Sequence, residues 1–341
     1  MSQSSSNHLN LLWLQSGGCG GCTLSLLGAE TPDLVTSLEL AGINLLWHPS
    51  VSLETGTQVT ELFTKILNKE IRLDILCLEG SVIKGPNGTG KFHLMSDGSG
   101  QPVMTLIEKL AKLAGHVIGV GTCASYGGIT AGGENQVEAC GLAFDGEKKG
   151  GLLGETFQCE DGLPVINIPG CPVHPDWVTE TLLHLASGQM NSHDLDHLGR
   201  PVAISSSLVH HGCSRNEYYE FKASAEKLSD LGCMMENLGC KGTQAAGDCN
   251  IRPWNGSGSC ISGGYPCIAC TEPGFEEPGH TFVETPKIAG IPVGLPTDMP
   301  KAWFVALASL SKAATPKRLR ENAVSDYVKV MPAKNPGRNK R

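Results

Sequence analysis

The sequence predicts an α/β fold of flavodoxin type, followed by an irregular region rich in cysteine. Over the first 195 of its 341 residues, short apolar runs alternate with stretches of helical periodicity, as in a parallel sheet covered by helices. Beyond that point regular periodicity fades, and Gly, Asn, Pro and Cys become dense. There are 14 cysteines and no recognisable secretory signal. We therefore expect a reducing compartment and metal ligation rather than disulfides.

The elements follow one another in a simple order. The apolar runs predict five strands: Leu9–Leu14, Ile43–Trp47, Leu73–Leu78, Val117–Val120 and Val165–Ile168. Helical periodicity predicts three helices: Thr57–Leu67, Pro102–Leu113 and Pro175–Leu185. We divide the chain into a flavodoxin-like domain (1–195), a cysteine-rich domain (196–290), and a C-terminal helix with a basic tail (291–341).

Composition and charge exclude some functions and favour others. Charged residues make up 18% of the chain, below the roughly 25% of typical soluble domains, which suggests that a partner covers part of the surface. The net charge is −8, yet the segment from Lys312 onward has nine basic and two acidic residues. The acidic body argues against nucleic-acid binding. The tail is expected to be exposed, and either contacts a scaffold or membrane-associated partner or is simply solvated.

Apolar stretches are all too short to span a bilayer, which requires about 20 residues. We therefore expect a cytoplasmic protein that reaches a membrane only through its partners.

Four cysteines follow the predicted strands directly. Cys19 and Cys22 form a CxxC after the first strand, Cys123 follows the fourth and Cys171 the fifth. The carboxyl ends of parallel strands share one edge, where ligands bind, so these thiols should converge. Four thiolates are what a [4Fe–4S] cluster requires. A Cys₄ zinc site is the alternative, but structural zinc sites usually pair two CxxC units and here there is one.

Two segments match nucleotide-binding motifs only in part. Gly119–Ala124 fits GxGxxA, but it follows the fourth strand rather than the first and has a cysteine in its middle. Gly85–Lys91 fits GxxxxGK, but Phe92 stands where a P-loop has Ser or Thr.

The cysteine-rich region provides enough ligands for two further sites. Its residues with metal-binding side chains are His210, His211, Cys213, Cys233, Cys240, Cys249, Cys260, Cys267 and Cys270. His210 forms an HxxC with Cys213. Since a cluster needs four ligands, the set divides into two groups, but spacing alone does not fix the division.

These motifs together resemble the small subunit of nickel–iron hydrogenases. The matching segments occur in family order: Gly18-Cys19-Gly20-Gly21-Cys22, Glu79-Gly80-Ser81, Gly121-Thr122-Cys123-Ala124-Ser125, Pro169-Gly170-Cys171-Pro172, Gly239-Cys240-Lys241-Gly242 and Pro266-Cys267-Ile268-Ala269-Cys270-Thr271-Glu272-Pro273. The resemblance is greatest to the cytosolic uptake group (group 2a-like), which includes high-affinity hydrogen oxidisers and hydrogen sensors.

The resemblance implies three clusters. Cys19, Cys22, Cys123 and Cys171 would hold a proximal [4Fe–4S] cluster. The distal [4Fe–4S] cluster would be held by His210, Cys213, Cys233 and Cys240. The medial ligands would be Cys249, Cys267 and Cys270, with Cys260 at a position where many relatives have proline and a [3Fe–4S] cluster. We therefore favour a medial [4Fe–4S] cluster, with [3Fe–4S] and an idle Cys260 as the alternative.

Several positions depart from the family or have no assigned role. Cys233 and Cys240 are one residue further apart than in many relatives, so the distal loop should differ. Gly21 and Gly128 stand where some oxygen-tolerant relatives have extra cysteines. A structural hydrogen bond is the favoured role of Glu79, and a step in a proton path is the alternative. The cysteines without a predicted ligand role are Cys77, Cys140 and Cys159, the first of them a core residue.

The function implied is electron transfer from H2 oxidation to a quinone or a protein acceptor. The nickel–iron centre would lie in a large subunit, an obligate partner, in an assembly that is larger still. One alternative is a hydrogen sensor, which would turn over very slowly with an artificial acceptor. The other is a metal-stabilised interaction protein without hydrogen chemistry, which would purify without a nickel-containing partner.

Overall fold

The computed structural model describes residues 8–280 and 282–332, which form two compact units. The first unit contains the chain up to Ser206 together with Cys270–His280. The second contains Ser207–Ala269 and the described residues from 282 onward. No local sequence pattern indicates that Cys270–His280 belongs with the first unit.

A five-stranded sheet forms the centre of the first unit and confirms the predicted α/β fold. Its strands are β1 (Leu9–Gln15), β2 (Ile43–Trp47), β3 (Ile75–Glu79), β4 (His116–Val120) and β5 (Ile166–Ile168). All neighbours are parallel, in the order β2-β1-β3-β4-β5, which is the flavodoxin-like order. Each predicted strand is present.

Seven helices accompany this sheet within the described residues of the first unit. They are α1 (Gly21–Leu27), α2 (Leu34–Ala41), α3 (Thr57–Leu67), α4 (Val103–Ala111), α5 (Gly121–Tyr126), α6 (Pro175–Ala186) and α7 (Val202–Ser205). The three predicted helices correspond to α3, α4 and α6. Short 3-10 helices span Gly128–Ala131 and Ser192–Asp194. Two-residue strands pair Val82–Ile83 with Ala139–Cys140, and Phe144–Asp145 with Lys148–Lys149.

Both faces of the sheet are buried. Leu12 and Leu76 pack in one cluster with Phe63 of α3 and Leu110 of α4. Successive strand residues point to opposite faces, and the alternate residues are buried too: Leu11, Trp13, Ile75 and Cys77. Each such large apolar side chain contributes about 1.5–3 kcal/mol relative to an exposed one. This burial makes the sheet a rigid support for the loops at its edge.

Strand register brings the functional loops to the same level. Gln15 pairs with Glu79, Glu79 with Val120, and Val120 with Ile168. The segments that carry the first four predicted ligands therefore leave the sheet from a single edge, as the sequence predicts.

Regular structure is sparse in the second unit. Its described helices are a 3-10 turn at Val209–Gly212, α8 (Asn216–Glu220), α9 (Lys301–Ala314) and α10 (Lys317–Ala323). A two-residue hairpin pairs Lys287–Ile288 with Ile291–Pro292. The buried side chains form small separate clusters, one of them around Met234, Ile261 and Cys267. The predicted irregular, cysteine-rich region is therefore confirmed.

The segment after Lys312 is only partly the exposed tail that the charge pattern predicts. Leu319 and Ala323 of α10 are buried against Ala223, so this helix belongs to the packed structure. The prediction for residues 333–341 lies outside the described residues. No helix in 8–280 or 282–332 has the length and apolar character needed to cross a membrane.

Candidate metal centres

The first four predicted ligands meet at the carboxyl edge of the sheet. Cys19 lies between β1 and α1, Cys22 in the first turn of α1, Cys123 in α5 directly after β4, and Cys171 after β5. Burial raises the pKa of Cys22, Cys123 and Cys171, that of Cys171 to about 12, and charges on the neighbouring thiols raise it further. Buried thiols that disfavour one another's ionisation suit a cationic metal group, which stabilises thiolates.

Glycine gives the sulfurs the space that they occupy. Gly121 has φ +83°, and a Cβ there would lie 2.4 Å from Sγ of Cys22. Gly128 has φ +57°, and its Cβ would lie 2.8 Å from Sγ of Cys123. At Gly21 the distance to Sγ of Cys19 would be 3.1 Å. Two of these glycines stand where the resemblance places extra cysteines in oxygen-tolerant relatives.

Thr122 joins three loops of the first unit. Its hydroxyl accepts a hydrogen bond from the Gly170 N–H at 2.8 Å and donates one to the carbonyl oxygen of Cys270. The Thr122 N–H also donates to the carbonyl of Gly170 at 3.1 Å. One side chain therefore fixes the segments before Cys171 and at Cys270. From the sequence Thr122 is evident only as part of a motif, because its partners are remote in the chain.

Glu79 is buried and accepts several hydrogen bonds. Its Oε1 accepts from the Thr23 N–H at 3.0 Å, and its Oε2 accepts from the Thr23 hydroxyl and from Nε2 of Gln15 at 3.0 Å. Nε1 of Trp13 lies 3.4 Å from the same oxygen. The carboxylate thus anchors the first turn of α1, which carries Cys22. His48 lies behind this group, with Nε2 3.4 Å from the Thr23 hydroxyl oxygen.

A buried arginine holds the segment that follows Cys270. Nε of Arg200 lies 2.7 Å from Asp196, and its NH1 lies 2.9 Å from Glu272. Arg200 is only 7% exposed. No local motif singles it out, although Glu272 belongs to the Cys-Thr-Glu-Pro run.

Three of the predicted distal ligands lie together in the second unit. Burial raises the pKa of Cys233 to about 12, and charges on Cys240 and Cys213 raise it further. The Arg215 N–H points at Sγ of Cys213 at 3.3 Å, and the Arg215 guanidinium donates to two backbone carbonyls at 2.7 Å each. These contacts stabilise the loop that carries the thiols.

The two neighbouring histidines have different surroundings. Nε2 of His211 lies 3.1 Å from Asp298, and its Nδ1 accepts from the Leu208 N–H at 3.2 Å. The ring of His210 instead packs edge-on against Tyr219, with centroids 4.4 Å apart. Both ring nitrogens of His211 are therefore engaged, in keeping with His210 as the predicted ligand.

The predicted medial ligands are divided between the units. Cys249, Cys260 and Cys267 belong to the second, and Cys270 to the first. Burial raises the pKa of Cys249 to about 12, with the charge of Cys260 the next cause. The Ala269 N–H lies 3.4 Å from Sγ of Cys267. The exposed Cys260 is thus an electrostatic neighbour of Cys249, and its charge also raises the pKa of Cys240, a predicted distal ligand.

The remaining cysteines are buried away from these groups. Cys77 is fully enclosed in β3, and burial raises the pKa of Cys140 and Cys159 to about 11 each. All three are thus small core residues. The predicted alternative of a dinucleotide site at Gly119–Ala124 is disfavoured, since Sγ of Cys22 occupies the space over Gly121 that a pyrophosphate would need.

Thiol groups in this number are typical of an iron–sulfur electron carrier, although the described residues contain no three His, Cys, Asp or Glu side chains that could hold a metal ion as they stand. Comparison with known proteins identifies the family. The profile described as "NADH ubiquinone oxidoreductase, 20 Kd subunit" matches residues 19–185. The profile for the C-terminal region of the NiFe/NiFeSe hydrogenase small subunit matches residues 206–283.

Individual relatives cover most of the chain. It is 34% identical over 302 residues to the F420 non-reducing hydrogenase II small subunit of Methanosarcina mazei, and the match covers 82% of this chain and 77% of the relative. It is 32% identical to the periplasmic [NiFeSe] hydrogenase small subunit of Desulfomicrobium baculatum, with 80% and 86% covered. The actinobacterial-type NiFe-hydrogenase of Ralstonia eutropha H16 superimposes with a TM-score of 0.74 at 31% identity, covering 92% of this chain and 93% of that one.

The chain belongs to the family of nickel–iron hydrogenase small subunits. It is the electron-transferring subunit of an oxidoreductase whose nickel–iron centre lies in the large subunit, with which it pairs. Members of this family carry three iron–sulfur clusters. The thiol groups described above fit such cofactors in chemistry and in number.

Proposed function

We propose that this chain conducts electrons out of a hydrogen-oxidising enzyme, through clusters held by twelve particular residues. The proximal ligands are Cys19, Cys22, Cys123 and Cys171. The distal ligands are His210, Cys213, Cys233 and Cys240, and the medial ligands are Cys249, Cys260, Cys267 and Cys270. The observation that carries this proposal is the convergence of the first four thiols on one edge of a rigid sheet.

The chain's own residues position and tune these sites, while the bound clusters supply the redox chemistry. Glu79 fixes the turn that carries Cys22, and Thr122 joins the Cys171 loop to the backbone of Cys270. Cys270 also raises the pKa of Cys171, after burial and the charge of Cys123. The proximal site is therefore coupled to the segment that leads toward the medial ligands.

Ligand assignment is tested by comparing Cys171 with a cysteine that has no proposed ligand role. Cys171→Ala should remove the proximal cluster, so that iron in the purified heterodimer falls by about four and H2-dependent reduction of benzyl viologen is lost. Cys159→Ala is the matched control and should leave both quantities unchanged. Equal iron content in the two variants would show that Cys171 is not a ligand.

The medial cluster is proposed to be [4Fe–4S], with Cys260 as its fourth ligand. The electrostatic effect of Cys260 on the Cys249 thiol supports this. Cys260→Ala should lower the iron content by about one per heterodimer and give the electron paramagnetic resonance signal of an oxidised [3Fe–4S] cluster. If the wild-type protein already shows that signal at full intensity, Cys260 is idle.

Membership of the cytosolic uptake group and delivery to a quinone or protein acceptor are also proposals. They rest on the motif pattern, and relatives of the chain include a periplasmic protein, so the compartment stays a prediction. Fast H2 oxidation with an artificial acceptor would support an uptake enzyme. Very slow turnover in a fully metallated heterodimer would support the sensor instead.

A further inference from the structure

A cavity of about 220 Å³ lies in the second unit beside Cys233, one of the proposed distal ligands. Tyr219, Met235 and Phe304 form one apolar cluster that lines it, and Cys233 packs against the same cluster. This chamber thus has an apolar part, with a proposed cluster ligand in its wall, and a polar part formed by Lys222, Ser224, Glu236, Ser309 and Lys312.

One cation in this chamber is held by aromatic rings. Nζ of Lys222 lies 3.9 Å from the ring centroid of Tyr219 and 4.1 Å from that of Phe304, well within the range of a cation–π contact. The other lysine of the pocket, Lys312, is paired with Glu236 at 2.5 Å. Lys222 therefore provides hydrogen-bond donors at a fixed place beside the aromatic part of the wall.

The rim of the pocket is apolar as well. Ile291 and Val305 line it and remain 38% and 41% exposed. A ligand that enters here meets hydrocarbon first and a cation deeper in, which suits a molecule with a polar redox ring and an apolar substituent.

We propose that this pocket binds a quinone head group and is where electrons leave the chain. This inference rests on the proposed function, because it requires a reducible cluster at Cys233. The cavity is smaller than the roughly 300–1,000 Å³ of typical drug-sized ligand sites, so it suits one or two fused rings rather than a dinucleotide or a flavin nucleotide. A quinone carbonyl accepts a hydrogen bond from the Lys222 ammonium, and its ring packs against apolar side chains of the wall such as Met235 and Ile291.

Reduction of the quinone is balanced in electrons and protons by the oxidation of H2. Oxidation of H2 gives two electrons and two protons. The quinone takes up two electrons, and two protons convert its carbonyl oxygens to hydroxyls, so that H2 and quinone give quinol. No further reductant is needed.

The test compares two acceptors with the purified heterodimer. Lys222→Met removes the cation, and Ala308→Trp fills the cavity without altering a proposed cluster ligand. Each should lower kcat/KM for H2-dependent menadione reduction by about tenfold or more, the usual effect of losing a hydrogen bond to a charged group. The rate with benzyl viologen should stay within about twofold in both variants. Lys301→Met, on the exposed start of α9, is the control and should change neither rate.

Menadione reduction unchanged in both pocket variants would overturn the proposal, and so would a wild-type enzyme that reduces viologen but not menadione, since the acceptor would then be a protein. If Lys222→Met lowers both rates together, Ala308→Trp decides: a selective loss of menadione reduction supports the pocket, and no selective loss overturns it. A wild-type heterodimer with neither activity would instead contradict the proposed function itself.

Discussion

At the scale of single residues, the proximal site is defined as much by what surrounds the cysteines as by the cysteines themselves. Gly121 and Gly128 have backbone conformations that other residues rarely adopt, and each faces the sulfur of a proposed ligand, Cys22 or Cys123. Glu79 fixes the turn that contains Cys22. The sequence predicts the four thiols from their places after strands, but it does not show which neighbouring residues give them space.

Gly121→Ala is expected to remove the proximal cluster. Its new methyl group would lie 2.4 Å from Sγ of Cys22, so the thiol must move out of place. Iron in the purified heterodimer should fall by about four. Gly146→Ala is the control, because Gly146 also has a positive φ but no atom within 4 Å of the added carbon. Equal iron content in the two variants would contradict the role given to Gly121.

Glu79→Gln should destabilise the site without slowing proton transfer. The new amide group places a donor among the donors of Thr23, Gln15 and Trp13, and unsatisfied buried groups cost about 1–3 kcal/mol each. The melting temperature should fall and the spectrum of the proximal cluster should change, while the solvent isotope effect on H2 oxidation stays as in the wild type. Glu61→Gln, on the exposed face of α3, is the control.

The opposite result for Glu79→Gln would favour a role in proton transfer over a structural role. Unchanged stability, together with a slower rate and a larger solvent isotope effect, would make it a proton carrier.

At the scale of elements, the sheet and the loops contribute differently. The strands and the helices α3, α4 and α6 can be predicted from the pattern of apolar residues. Apolar side chains that face the core recur every two residues in a strand and every 3.6 residues in a helix. The helices α1 and α5, of seven and six residues, are too short to show such periodicity. They carry the proposed ligands Cys22 and Cys123. The attachment of Cys270–His280 to the first unit depends on tertiary contacts of Thr122 and Arg200. These contacts join residues that are remote in the chain, so they cannot be predicted from a local sequence pattern.

Arg200→Met should destabilise the first unit strongly. It leaves Asp196 and Glu272 without their cation in a largely buried place, and breaking one partner of a buried ion pair costs about 3–5 kcal/mol. Lys317→Met is the control, since the Lys317 and Glu321 side chains are 81% and 43% exposed and such surface pairs contribute about 0–1 kcal/mol. The readout is the melting temperature of the heterodimer. Equal shifts in the two variants would contradict the structural role of Arg200.

The loss of stability caused by Arg200→Met should also depend on pH. Burial alone would raise the pKa of Asp196, but its hydrogen bonds and ion pair with Arg200 prevail and lower it. A lowered folded-state pKa means that the pair contributes fully above the unfolded value of about 3.9 and less as the pH falls through the folded value. The destabilisation by Arg200→Met should therefore be largest near neutral pH and shrink in acid.

At the scale of the whole molecule, the chain combines a well-packed α/β unit with a unit that has little regular structure. The second unit has only small apolar clusters, so metal binding should contribute to its folding free energy. Its cysteines are evident from the sequence, but their partition into two groups came from the family resemblance. The pocket at Lys222 could not be predicted, because it is formed by two segments, 219–236 and 290–312, that are remote in the chain.

The whole molecule is thus an electron path, in which three iron–sulfur clusters connect a nickel–iron centre to an acceptor. Metal analysis decides whether this is so: the protein is purified anaerobically with its partners attached, and nickel, iron and zinc are quantified. We predict about a dozen irons from the three clusters, together with nickel and one further iron from the large subunit. Zinc without nickel or stoichiometric iron would refute the electron path and indicate a structural metal protein.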